Sequence, residues 1–146
     1  MQEPPSSDSN HRASPGWLYW LTFGLTGALM VYALAWGAII AAIIGWNARI
    51  TVFGADIYNA LQSATRFDIV LIGLVIAAAS ASFILTAFRS GWAAVGMTAM
   101  AAFHLVLWIR LIANPYYSAS PGYLLIPLEI VGIVLMLLLV RRGVLR

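Results

Sequence analysis

The chain has 146 residues, of which 62% are apolar and 9% are charged, and its formal net charge is +3. A soluble domain is usually near half apolar and a quarter charged, so this composition excludes a soluble enzyme and a secreted disulfide domain. The chain has no cysteine, which excludes thiolate metal sites and thiol redox chemistry. Residues 1–16 are polar and rich in Pro and Ser, and they predict a disordered cytoplasmic tail.

Four long apolar runs follow this tail. A transmembrane helix needs about 20 predominantly apolar residues, and each run meets that requirement. The predicted spans are about residues 17–46, 69–88, 91–113 and 121–140. The sequence therefore predicts an all-α integral membrane protein, with a four-helix transmembrane bundle over residues 17–146.

The first span carries small residues at every fourth position, namely Gly37, Ala41 and Gly45. Small side chains let helix backbones approach closely in a membrane. We expect this stripe to pack against a helix, either within the bundle or in another chain.

The connection at residues 47–68 has apolar side chains at helical spacing, at Ile50, Phe53, Ile57, Leu61 and Ala64. This pattern predicts a short amphipathic helix lying on the outer membrane surface. A simple connector is the favoured interpretation, and a docking platform for a partner subunit is the alternative.

Three ionisable positions interrupt the third and fourth spans: His104, Arg110 and Glu129. A charge at the centre of a membrane helix costs roughly 2.5–3.5 kcal/mol on insertion scales, so each needs a structural or functional reason. At 1.5 Å per residue, His104 lies about 13 Å and Glu129 about 12 Å from the outer ends of their spans. Arg110 is about 5 Å deep by the same rise. These residues form a candidate intramembrane site for an ion, a proton or a quinone.

Each of these residues also has a structural interpretation. For Glu129, the structural interpretation is a carboxyl that bonds to a neighbouring helix or pairs with Arg110, and the functional one is a carboxylate that binds a proton or a cation. Pro127 predicts a helix kink beside it. His104 either hydrogen-bonds to another helix, such as through Glu129, or serves as an axial haem b ligand. A quinone pocket formed by His104, Trp108, Arg110 and Glu129 is a further alternative. The sequence predicts no metal site and no catalytic residues.

The arginines indicate orientation. With four spans, one side holds five of them (Arg12, Arg89, Arg141, Arg142, Arg146) and the other holds Arg49, Arg66 and Arg110. The positive-inside rule then places both termini in the cytoplasm. The absence of lysine favours an arginine-biased bacterial genome and hence the bacterial inner membrane. Because the arginines stand at the ends of the spans, we expect contact with lipid and none with nucleic acid.

Three functions remain open. The first expectation is a non-catalytic small subunit of a larger inner-membrane complex, since the chain has little mass outside the membrane and no catalytic constellation. The second is a small oligomeric transporter or channel with a proton or cation path through Glu129 and His104. The third is a haem- or quinone-binding anchor of an electron-transfer complex. The expected partners are the bilayer and either other membrane subunits or further copies of the chain.

Overall fold

The computed structural model describes residues 16–117 and 120–146, with the side chain of Ser120 left aside. Four of its helices are long and apolar enough to cross a membrane, and 77% of the described residues are helical. The protein is therefore a helical, multi-pass membrane protein. The predicted tail lies outside the described residues, apart from Gly16. The elements in chain order are α1 (Trp17–Trp46), β1 (Thr51–Val52), β2 (Ala55–Asp56), α2 (Ile57–Gln62), α3 (Arg66–Ala87), α4 (Trp92–Leu111) and α5 (Ser120–Arg141).

The start of α3 is fixed by a capping box. The hydroxyl of Thr65 accepts a hydrogen bond from the backbone N–H of Asp68 at 3.4 Å, and the Asp68 carboxylate accepts from the Thr65 N–H at 2.8 Å. These bonds satisfy two backbone donors that a helix start otherwise leaves open. Helix α3 therefore begins at Arg66, three residues earlier than its hydropathy predicts.

The connection after α1 differs from the single amphipathic helix predicted for it. Strands β1 and β2 form a small antiparallel hairpin, and its turn residues Phe53 and Gly54 both have positive φ, at 51° and 79°. Two positive φ angles are typical of the tight turn that suits the twist of a hairpin. The helix, α2, begins only at Ile57, after Asp56 accepts a hydrogen bond from the backbone of Asn59.

The six residues of α2 show the amphipathic character predicted for this connection. Ile57 and Ala60 are buried, and Ile57 packs with Ile43 near the end of α1. The hairpin and α2 thus cover the end of the bundle opposite the termini.

Helices α3 and α4 form an antiparallel pair in close contact. The hydroxyl of Ser82 on α3 donates to the carbonyl of Ala93 on α4 at 3.1 Å. A Cβ placed on Gly96 would lie 3.2 Å from the backbone of Ser82. Small side chains on both helices therefore let the two backbones approach, as expected for helix packing in a membrane.

Helix α5 ends in a Schellman turn. Gly143 has a left-handed φ of 67°, and its N–H donates to the carbonyl of Val140 at 3.0 Å. The N–H of Val144 donates to the carbonyl of Leu139, also at 3.0 Å. This pattern satisfies carbonyls at the helix end and requires a residue that tolerates positive φ.

The segment after this turn joins the connection between α3 and α4. The N–H of Arg146 donates to the carbonyl of Arg89, and the N–H of Gly91 donates to the carbonyl of Arg146. Arg89 has a φ of 55°, and its guanidinium lies 5.3 Å from the centre of the Tyr19 ring. The start of α1, the α3–α4 turn and the end of α5 therefore meet at one end of the bundle.

One face of α5 turns inward along its whole length. Its buried residues alternate at spacings of three and four, which is the period of an inward seam in helix bundles. They are Gly122, Leu125, Glu129, Gly132, Met136 and Leu139.

The small-residue stripe on α1 does not form one interface within the chain. A Cβ on Gly37 would lie 3.0 Å from the side chain of Ile76 on α3, so this glycine does pack inside the bundle. Ala41 and Gly45 are exposed, and a Cβ on Gly45 would meet nothing within 4 Å.

Replacing Gly143 and Gly45 by alanine should change stability in opposite directions. Gly143→Ala forces a side chain into left-handed backbone and should lower the free energy of unfolding by about 1 kcal/mol. Gly45→Ala adds a good helix former in open space and should raise it by up to about 1 kcal/mol. Unfolding of the purified chain in mixed micelles measures both. A stabilising Gly143→Ala would contradict the assigned turn.

Candidate functional site: a buried histidine–glutamate pair beside a cavity

His104 on α4 and Glu129 on α5 meet inside the bundle. Nδ1 of His104 lies 2.6 Å from Oε1 of Glu129, and the two side chains are 13% and 2% exposed. The helices run in opposite directions, so the end of α4 and the start of α5 lie at the same end of the bundle. His104 is seven residues before the first and Glu129 nine residues after the second. The sequence predicted equal depths for these two residues, and the structure brings them into a direct hydrogen bond.

This pair borders a cavity of about 100 Å³ between the helices. A dry protein cavity of about 150 Å³ accepts benzene, so the space is on the scale of a single small ring. Most of its wall is aliphatic, and Ile57, Ala60 and Leu61 of α2 line it on the side away from the termini. The remaining lining residues are Tyr32, Ala33, Trp36, Ile40, Ala64, Asp68, Ile72, Val75, Ile76, Met100, His104, Leu107, Leu111, Tyr117 and Glu129.

Three aromatic residues that line this wall were not predicted from the sequence as part of the site. Tyr32 and Trp36 lie near the middle of α1, and Tyr117 follows α4. Tyr32 is about 22 Å along the helix from Trp17, at 1.5 Å per residue, which is too deep for an interfacial aromatic belt. That depth is the signal that marks it as part of a site. Burial raises the pKa of Tyr117 to about 12, so its phenol keeps its proton at neutral pH.

Arg110 does not join the His104–Glu129 pair. Its Nε donates to Oδ1 of Asp68, and its Nη2 donates to the Thr65 hydroxyl at 3.2 Å. Arg110 therefore ties the end of α4 to the start of α3. The pairing of Arg110 with Glu129, one of the alternatives predicted for that carboxyl, is replaced by one with Asp68.

The core is filled on the side of the pair nearer the termini. Met97 of α4 packs against α5, because a Cβ on Gly132 would lie 2.6 Å from the Met97 methyl group. Met97 and Met136 are 1% and 0% exposed. These side chains lie beneath the pair, so the cavity ends near the middle of the bundle.

Two other residues of the predicted site lie beside the cavity. Trp108 packs edge to face with Tyr123, with ring centres 5.3 Å apart, and is not among the residues lining the cavity. Pro127 stands inside α5, where it cannot donate to the carbonyl of Tyr123 four residues earlier. The helix continues through it, and the kink stays a prediction.

Comparison of the chain with protein-family models, with curated proteins and with solved structures finds no significant match. The chemistry of the residues themselves is therefore the basis for interpreting the site.

Proposed function

We propose that the chain is a non-catalytic membrane protein whose bundle holds a small, largely apolar molecule in this cavity. The observation that carries the proposal is the His104–Glu129 pair, which places a polar group on a largely apolar wall. Apolar pockets with a few convergent polar groups are the usual form of small-molecule sites. An ionisable pair inside a membrane is costly, and a ligand-binding role gives a reason for it.

A proton or cation path through Glu129 has less support. Such a path needs polar groups or water on both sides of the carboxylate. Met97 and Met136 pack tightly on one side, and the buried hydroxyls of Thr22 and Thr26 on α1 donate to backbone carbonyls of their own helix. The cavity is thus blocked on the side of Met97 and Met136.

A haem group also has less support. His104 supplies one imidazole, whose Nδ1 is engaged by Glu129 while Nε2 is left for a ligand. A bis-histidine site needs a second imidazole at similar depth, and His104 is the one histidine in the part of the chain that the structure describes.

The proposal includes the bacterial inner membrane, with both termini in the cytoplasm. Four arginines support this orientation, since all of them belong to the end of the bundle where the termini meet: Arg89, Arg141, Arg142 and Arg146. The other described arginines, Arg49, Arg66 and Arg110, belong to the opposite end, so the excess is four against three. An excess of arginine marks the cytoplasmic side of membrane proteins.

Native purification tests the proposal. The tagged chain is extracted from its own membrane in native lipid, and mass spectrometry identifies the small molecules that accompany it. A matched variant, Ala64→Phe, places a ring in the wall of the cavity. We expect an apolar compound at about one copy per chain with the wild type, and its loss with the variant. Equal recovery from both proteins would refute the proposal.

A second candidate is a subunit of a larger membrane complex. The observation that favours it is the outward side of α1, where Ala41 and Gly45 present small residues that the described residues leave uncovered. Such surfaces suit close contact with another helix. The same purification tests it, because a stoichiometric partner protein is expected and a clean monomer in native lipid would count against it.

A further inference from the structure

The second ring nitrogen of His104 is not fully buried. Nδ1 is bonded to Glu129, and Nε2 has no hydrogen-bond partner within the described residues. Every fully buried side-chain nitrogen or oxygen in that part of the chain does have a partner, so Nε2 is accessible. Because His104 lines the cavity and its side chain is more exposed than that of Glu129, Nε2 is the atom of the pair better placed to meet a bound molecule.

The protonation state of the His104–Glu129 pair decides whether Nε2 donates or accepts a hydrogen bond. If Glu129 is ionised and His104 is protonated, both ring nitrogens carry hydrogen. If Glu129 is instead protonated and donates to Nδ1, the neutral ring carries its hydrogen on Nε2. In both arrangements the pair is neutral overall, and Nε2 is a donor. Nε2 becomes an acceptor only when the pair loses a proton and carries a net negative charge.

The surroundings favour the neutral pair. A net charge buried without a counter-ion is strongly disfavoured in apolar surroundings. Asp68 on α3 lines the same cavity, but Arg110 already matches its charge. The other polar side chains on the wall, Tyr32 and Tyr117, bear hydroxyl groups that also donate.

We propose that the cavity binds a small ring bearing a carbonyl oxygen, as in a quinone headgroup, and that His104 Nε2–H donates to that oxygen. This inference rests on the proposed function and specifies its ligand class. The size of the cavity fits one ring, so an attached hydrocarbon chain would extend beyond it.

Three ligands with one carbon skeleton test this inference: acetophenone with a carbonyl, 1-phenylethanol with a hydroxyl, and ethylbenzene with neither. Each Kd is obtained from the ligand-dependent rise in Tm of the purified chain in detergent. The test variant is the double substitution His104→Phe with Glu129→Leu, which removes the donor without leaving a buried group unpaired. Ile72→Val is the control for a change in the apolar wall. Each Kd of a variant is divided by the wild-type Kd for the same ligand, because this ratio cancels the partition of the ligand into detergent.

We expect the double variant to weaken acetophenone binding about tenfold, as for the loss of one good hydrogen bond. Ethylbenzene binding should change less than about twofold, and Ile72→Val should affect all three ligands alike. If 1-phenylethanol is weakened most, or all three are weakened equally, the carbonyl assignment is overturned. Ethylbenzene binding that is the same in wild type and Ala64→Phe overturns the proposed function itself.

Discussion

Substituting His104 by leucine should lower the free energy of unfolding by about 2 kcal/mol. The change leaves Glu129, which is 1% exposed, without its partner in an apolar core. Single interhelical hydrogen bonds in membranes contribute up to about 1.7 kcal/mol, and losing one partner of a buried ion pair costs about 3–5 kcal/mol. The expected value lies between these cases because Glu129 can take up a proton. Unfolding in mixed micelles provides the measurement.

A double-mutant cycle separates this pair from general packing. Replacing both His104 and Glu129 by leucine should cost less than the sum of the two single changes, because no polar group is left unpaired. Leu105→Ala, on the half-exposed side of the same helix, serves as the surface control and should stay within about 0.5 kcal/mol. Additive single effects would show that the 2.6 Å contact does not couple the helices.

Gly122→Ala should be still more damaging, with a loss of about 3 kcal/mol. A Cβ at this position would lie 1.8 Å from Nε1 of Trp108 and 2.5 Å from another atom of the indole ring. Overpacking in a well-packed core typically costs 1–3 kcal/mol, and a clash with a rigid ring belongs at the upper end. The same unfolding assay measures the effect.

Two further variants identify the cause. Gly24→Ala also places a methyl group on a helical glycine, but its Cβ would meet nothing within 4 Å, so it should be neutral or slightly stabilising. Trp108→Leu in the Gly122→Ala background removes the ring and should restore part of the lost stability. If Gly24→Ala and Gly122→Ala are equally destabilising, contact with Trp108 is not the reason.

The architecture was readable from the sequence because a bilayer permits few folds. Only helices and closed barrels satisfy the backbone inside lipid, so four apolar runs define four helices. The end of α1 at Trp46 coincides with the predicted limit. The start of α3 differs from its predicted limit, because its capping box depends on side-chain bonds between Thr65 and Asp68 that hydropathy does not describe.

The candidate site was predicted in part. Depth along each span placed His104 and Glu129 at one level, but hydropathy gives no order of helices around the bundle and could not say that they touch. The pairing of Arg110 with Asp68 joins residues 42 positions apart, which a single sequence does not reveal. Tyr32 was missed because an uncharged aromatic side chain does not stand out within an apolar span.

The hairpin before α2 shows a different limit. Ile50 and Phe53 fit a helical period, yet Phe53 adopts a φ of 51° and Gly54 one of 79°. A spacing of apolar residues over so few positions does not distinguish a helix from a turn followed by a helix.

The inward face of α5 is less hydrophobic than its outward face, since two glycines and a glutamate lie within it. In water, an apolar stripe fixes how a helix is rotated about its own axis, but lipid solvates any aliphatic side equally well. The rotational setting of α5 is therefore specified by its least lipophilic positions. Exchanges among Leu, Ile and Val on the outward side should be tolerated during evolution, whereas the glycine and glutamate positions are constrained by the helices they face.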